Sequence, residues 1–466
     1  MELYDNKTTL LSLIKKEENT MKSFQPPRRS LQMYPKKSEP DPQFTPARFS
    51  STSAMTPLSP PQSPWTRTTL HPSPSPTLLY QCVASLHRHE GNIFSIAVLQ
   101  GNVFTGTESS CIRVWKQPDF IERGYLKANS GEVRAIVAYG NLVFTAHRDN
   151  KVRVWSVRGN SDDFHSKKLT VIPRYKAFHF FSRKKTLRHQ DCISCLAYYH
   201  AEGLLYTGSW DKTVKTWTVS DQRCIDSFVA HSDTINAIVV NQDDGFVFTC
   251  SSDGSVKIWR RVYGENSHTL TMTLKFQLSP VNALALSSSL NACYLYSASS
   301  DGFINFWEKE KVSGRFNHGG FLQGHRFGVI CLAAIERFIF SGSEDTTIRV
   351  WRREEGSSYH NCLAVLDGHR GPVRCLTACL EIEKIAMGFL LFSASMDGTF
   401  KVWRVKIFPE EHNTSNDDKA ECRSKITLVE YERCKRELDA KFMEFEMSPV
   451  LSPSWVERKL QGNHTI

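Results

Sequence analysis

Residues 231–259 read HSDTINAIVVNQDDGFVFTCSSDGSVKIW, and this stretch decides the fold. β-branched and aromatic residues alternate with polar ones around a tight Ser-Asp-Gly turn, which is strand chemistry and not helix chemistry. The closing phrase then recurs: ESSCIRVW ends at Trp115, HRDNKVRVW at Trp155, SWDKTVKTW at Trp217, SSDGSVKIW at Trp259, SSDGFINFW at Trp307, SEDTTIRVW at Trp351 and SMDGTFKVW at Trp403. A period of roughly 40 to 50 residues belongs to propellers and solenoids. The chain is therefore read as an all-β repeat array.

Within the quoted stretch His231, Thr249, Asp253 and Trp259 hold places that recur in the other copies. The turn aspartate, six residues before its tryptophan, is Asp149, Asp211, Asp301, Asp345 and Asp397, with Ser109 in the first copy. The hydroxyl four residues earlier is Thr105, Thr145, Thr207, Ser297, Ser341 and Ser393. The loop histidine is His89, His189, His325 and His369, with Asn129 and Gln277 in copies two and five. An isolated buried Asp costs several kcal/mol, whereas a set in which every donor meets an acceptor persists inside a sheet. The pattern resembles the WD repeat, and that resemblance makes His, Ser/Thr, Asp and Trp a buried structural network. Blades one, two and five, which depart from it, are expected to be bonded less tightly.

Seven copies predict a seven-bladed β-propeller over residues 78–408, each blade a four-stranded antiparallel sheet. Each copy supplies an outer strand followed by the inner three of the next blade. Leu79 to Leu86 should then complete the last blade and remove the open sheet edges that invite aggregation. The long gap from Trp155 to Trp217 carries an insertion at 159–185 with Phe164, Tyr175, Phe178, Phe180 and Phe181. It reads either as a partner-binding lobe or as a longer blade edge whose aromatics tuck against the sheet.

The flanks read differently. Thirteen of the 20 prolines lie in residues 1–77 among Ser, Thr and basic residues, a composition that predicts a disordered tail. Its SPPQSPWTRTTL segment with Trp65 is a candidate docking motif, and Ser59, Ser63, Ser73, Ser75, Ser448 and Ser452 each precede proline as candidate phosphorylation sites. Residues 409–466 form a linker, a segment with Leu428, Tyr431, Leu438, Phe442 and Phe445 at helical spacing, and a Ser-Pro tail. The helix can dock on the propeller or on a partner.

The exclusions follow from composition. The N-terminal apolar run is too short for a secretory signal, and no stretch approaches the ~18 apolar residues of a membrane span. The 13 cysteines are scattered, and the Cys192–Cys195 pair has no second pair to share a metal with, so no metal or cofactor is expected. The formal charge of +10 is spread in short clusters, and direct nucleic-acid binding is not expected. No nucleophile elbow, Walker loop or zinc-protease motif occurs, so no catalytic residue is assigned.

Function then falls to the channel mouth. Arg148, Trp210, Glu344 and Met396 directly precede turn aspartates, and Arg134, Ser194, Asn236, Asn282 and Arg374 stand at the starts of inner strands. Arg and Trp are the residue types that anchor protein interfaces, and Arg grips a carboxylate or phosphate in two places. Acidic or phosphorylated peptides are the expected ligands of a monomeric propeller.

The SPW segment, the insertion, YTGSWDKTVKTW and SASMDGTFKVW together resemble the plant JINGUBANG-like WD-repeat family. That resemblance implies a non-enzymatic regulator that binds proteins, transcription regulators among them, in cytoplasm and nucleus. Two alternatives are a ubiquitin-ligase substrate receptor and an RNA-associated scaffold. The first requires an acidic and a basic residue after the strand tryptophan, and Ser156-Val157-Arg158 and Glu308-Lys309-Glu310 each complete only part of that signature.

Overall fold

The computed structural model describes residues 78–87, 91–158, 164–173, 188–275, 278–289, 292–382 and 387–408. The expected tail at 1–77, the candidate helix at 425–447, His89, Gln277 and the aromatics Tyr175, Phe178, Phe180 and Phe181 lie outside the described residues. Twenty-eight strands and no helix occur among the described residues, and they form seven four-stranded antiparallel sheets.

Blade one shows the plan, running from Ile93–Leu99 innermost through Asn102–Thr107 and Cys111–Lys116 to Ile121–Lys127 outermost. Its Trp115 thus closes the third strand of the blade. Blades two to six repeat that order, and blade seven borrows its outermost strand from the other end of the chain. Leu78–His87 pairs with Thr399–Ile407 from Leu78↔Ile407 to His87↔Thr399. The ring is closed by that strand, as the sequence predicts.

Sequence explains why blades stack rather than float apart. Seven apolar clusters form the core, and each spans two adjacent blades and contains the tryptophan of the later one. Trp155 packs on Phe104, Ile112 and Val114 of blade one, and Trp259 packs with Leu204, Tyr206 and Val214 of blade three. Trp115 sits among Phe392, Phe400 and Val402 of blade seven, so the join between the last and first blades is packed like the other six. Losing a buried Trp to Ala costs about 3–5 kcal/mol.

The insertion resolves in part. His165–Ile172 is the regular outermost strand of blade two, paired with Val152–Arg158. Phe164 packs on Phe104 at 6.4 Å between ring centroids, which is the behaviour of a blade edge.

Candidate functional site

The network expected from the repeats is complete in blades three, four, six and seven. In blade four His231 Nδ1 lies 3.0 Å from Asp253 Oδ2, His231 Nε2 lies 2.8 Å from Thr249 Oγ1, and Trp259 Nε1 donates to the same Oγ1 at 2.9 Å. His189, Thr207, Asp211 and Trp217 repeat the arrangement in blade three. His325, Ser341, Asp345 and Trp351 do so in blade six. His369, Ser393, Asp397 and Trp403 do so in blade seven.

The proton order follows from what each group can donate. Trp has only a donor, so the hydroxyl accepts from it and passes its own proton to His Nε2, leaving Nδ1–H to face the carboxylate. That assignment requires a neutral imidazole. Burial, which outweighs the adjacent carboxylate, lowers the pKa of His189 and His231, and lowers that of His369 to about 4. Burial works against the charged aspartates too, yet the donors around them prevail: Ser255, His231 and the Ser232 and Ser255 amides hold Asp253 down at about 2.

Blade two corrects the expectation of a weakened network. Its hydroxyl, Thr145, bonds His147 Nε2 at 2.8 Å and receives Trp155 Nε1 at 2.9 Å. His147 enters from the strand itself, two residues before the turn aspartate, where five other copies carry serine. Asp149, freed from a loop histidine, instead pairs with Arg153 at 2.8 Å. The signal was visible in the column itself, since one histidine had left the loop and another had appeared in the strand. Blade one makes a smaller set, in which Ser109 Oγ meets Thr107 Oγ1 at 2.8 Å and takes the Cys111 amide as an aspartate would. In blade five, whose Gln277 lies outside the described residues, the buried Ser297 hydroxyl has no hydrogen-bond partner among the described residues.

The channel mouth is built by a repeated irregularity. Every innermost strand carries a bulge at its second residue, so that Ile93 and Ser95, not Phe94, pair with Thr107 and Gly106. The same slip occurs at Arg134, Ser194, Asn236, Asn282, Ile330 and Arg374. A bulge re-aims a side chain that a regular ladder would point into the sheet. All seven bulge residues line one cavity of about 570 Å3.

The residues preceding the turn aspartates face them. The backbone N–H of Trp210 donates to the Cys192 carbonyl at 3.0 Å, that of Glu344 to Gly328 at 2.9 Å and that of Met396 to Pro372 at 3.0 Å, which pins each turn against its inner strand. Trp210, Ser252, Ser300, Glu344 and Met396 complete the lining with Pro372. Of the residues predicted for this face, Arg134, Trp210, Asn236, Asn282, Glu344, Arg374 and Met396 reach the cavity. Arg148 does not line it, and its exposed guanidinium bonds Glu132 at 3.3 Å. Phe94 and Ile330 were missed because apolar residues at strand starts read as core; their column, shared with five polar residues, was the available signal.

The mouth has two unlike arcs. Over blades three to five, Ser194, Asn236 and Asn282 spend donors on the next blade: Asn236 Nδ2 bonds the Val281 carbonyl at 2.8 Å and Asn282 Nδ2 that of Val329 at 2.9 Å. These amides stitch blades together. On the other side Phe94 lies between two guanidiniums, 4.5 Å from that of Arg134 and 5.0 Å from that of Arg374. Arg134 also lies 5.4 Å from the ring of Trp210, which is 39% exposed, and it pairs with Glu132. No ion pair ties Arg374 among the described residues.

The Cys192–Cys195 pair lies beneath this rim as free, buried thiols. Burial pushes Cys195 up to about 12, so it holds its proton at neutral pH and is a core side chain.

The family model described as WD domain, G-beta repeat matches residues 181–218, 222–260, 268–308, 317–352 and 360–404. Four of the five matched units run from the outer strand of one blade through the inner three of the next, as in 222–260, which takes Arg223–Val229 with the three inner strands of blade four, while 181–218 takes the inner three of blade three without the outer strand before them. Propellers of this kind are typically protein-interaction scaffolds and generally non-catalytic. Five matched repeats within a closed ring of seven four-stranded blades support a WD-repeat protein.

Proposed function

We propose that this propeller is a non-catalytic scaffold that gathers partner proteins on the face where the cavity opens, and that its guanidinium arc receives an acidic or phosphorylated peptide segment. The observation that carries this reading is Arg374, whose guanidinium lies 5.0 Å from the Phe94 ring centroid and has no carboxylate partner among the described residues. A rigid cation on an aromatic floor offers two parallel donors to an incoming carboxylate or phosphate. Arg134 adds a second guanidinium, with an Nε that has no hydrogen-bond partner among the described residues. In keeping with its resemblance to the JINGUBANG-like plant family, the monomeric ring would act as a regulator that holds signalling or transcription regulators in cytoplasm and nucleus.

Fluorescence anisotropy with acidic and phosphoserine peptides tests this. The wild-type chain should bind them with an affinity that falls as salt rises, and Arg134→Ala with Arg374→Ala should abolish binding at an unchanged melting temperature. Equal binding by the double variant would remove the arginine arc from the account.

A further inference from the structure

Blade five differs from its neighbours in more than its broken network. Where the complete blades place Thr213, Ser255, Thr347 and Thr399 two residues after the turn aspartate, blade five has Phe303. Phe303 meets Phe321 of the outermost strand edge-on at 5.3 Å. Phe321 is 52% exposed, and Phe327, on the loop entering blade six, is 61% exposed. That loop abuts the turn: a Cβ on Gly302 would stand 3.1 Å from the Phe327 carbonyl. Leu278, 89% exposed, precedes Pro280, whose carbonyl accepts the Ser300 amide at 3.0 Å. Phe303 and Phe321 thus pack together at this turn, and the segments that carry Phe327 and Leu278 border it.

Two carboxylates border them. Asp301 uses Oδ1 to accept the Phe303 amide at 3.0 Å, but its other oxygen lacks the loop-histidine bond that the complete blades make. Glu344 lies beside the same turn, with its Oε2 3.3 Å from where a Gly328 Cβ would stand, itself 3.2 Å from Ser300. Among the described residues neither carboxylate has an ion-pair partner, and Arg326, which precedes Phe327, bonds neither. Unpaired negative charge beside exposed aromatic rings complements a cation on an apolar stem, because a ring face and a carboxylate both attract it.

We propose that the rim of blades five and six, formed by Phe303, Phe321, Phe327, Asp301 and Glu344, is a docking surface for a basic, apolar peptide segment of another protein. A Lys or Arg side chain lies between the two carboxylates, and an adjoining aliphatic or aromatic residue covers the phenylalanines. The surface meets the cavity at Glu344 but is opposite in charge to the arginine arc, and it stands whether or not that arc binds anions.

Selection of random displayed peptides on the full-length protein tests this, followed by titration of the best synthetic peptide. Binders should include sequences with Arg or Lys next to an aliphatic or aromatic residue. Their affinity should drop about tenfold in Glu344→Lys and in Asp301→Asn combined with Glu344→Gln, drop again in Phe327→Ser, and stay unchanged in Arg374→Ala. Glu344 is exposed and makes no side-chain bond, so its replacement leaves folding intact and serves as the safeguard should the Asp301 change unfold the turn. Absence of basic-apolar sequences among the binders, or binding indifferent to Glu344→Lys, overturns the proposal. Acidic peptides lost only with Arg374→Ala would belong to the other arc and leave this surface without a ligand.

Discussion

A single hydroxyl distinguishes a working blade from a broken one. Ser341 accepts from Trp351 Nε1 at 2.9 Å and meets His325 Nε2 at 2.8 Å, while Ser297, at the matching place in blade five, has no partner among the described residues. Removing Ser341 strands two buried nitrogens, and each buried group left unsatisfied costs about 1–3 kcal/mol. Ser341→Ala should therefore lower urea-unfolding stability by about 2 kcal/mol or more, and Ser297→Ala should change it by about 0.5 kcal/mol or less. Equal losses in the two variants would contradict the network as drawn. The four-residue pattern was legible in the sequence because spacing repeats it. The rescue by His147 was signalled only by a histidine two residues along the same strand from Thr145, outside the loop column where the pattern places that residue.

At the scale of elements, blades approach closely because each second strand narrows at one place. Gly106, Ala146, Gly208, Cys250, Ala298, Gly342 and Ala394 hold the position three residues before the turn position. A Cβ on Gly208 would stand 2.6 Å from Cys195 Sγ and 2.9 Å from Ile235 of the next blade. Gly208→Val should force blades three and four apart and cost about 1–3 kcal/mol, seen as a lower melting temperature at unchanged far-ultraviolet dichroism. A melting temperature equal to wild type would show that the seam yields freely. Strand count and closure were readable from turns and alternation. The bulges were not, since a bulge adds no residue type of its own and shows only when a strand is laid against its partner. Hence five bulge residues were found by their polarity, while Phe94 and Ile330 in the same column were passed over.

Over the whole ring, buried neutral histidines set an acid limit. Burial, with Arg153 adding to it, lowers His147 to about 4, and burial lowers His369 to about 4. Burial also brings His360 on blade six, bonded to Tyr296 at 3.0 Å, to about 4. An unfolded histidine takes up its proton near 6.5, so between about 6.5 and about 4 the unfolded chain binds protons that the folded ring refuses. Stability should be complete above pH 6.5 and decline steadily as pH falls toward 4, with Asp253 adding a further loss below about 3.8. Thermal melts across pH 4 to 8 measure this, and a flat profile between 6.5 and 4 would mean that these imidazoles are charged when folded.

The clasp between Leu78–His87 and the last blade also has a history in time. Lys401 reaches Ser85 across 316 residues of chain, so the strand made first must wait for the strand made last. At roughly 5–20 residues per second of synthesis, that interval is on the order of tens of seconds. Throughout it Leu78, Cys82 and Leu86 have no blade to cover them, and the nascent polypeptide carries a bare hydrogen-bonding edge. The newborn ring depends on whatever shields that segment until translation ends.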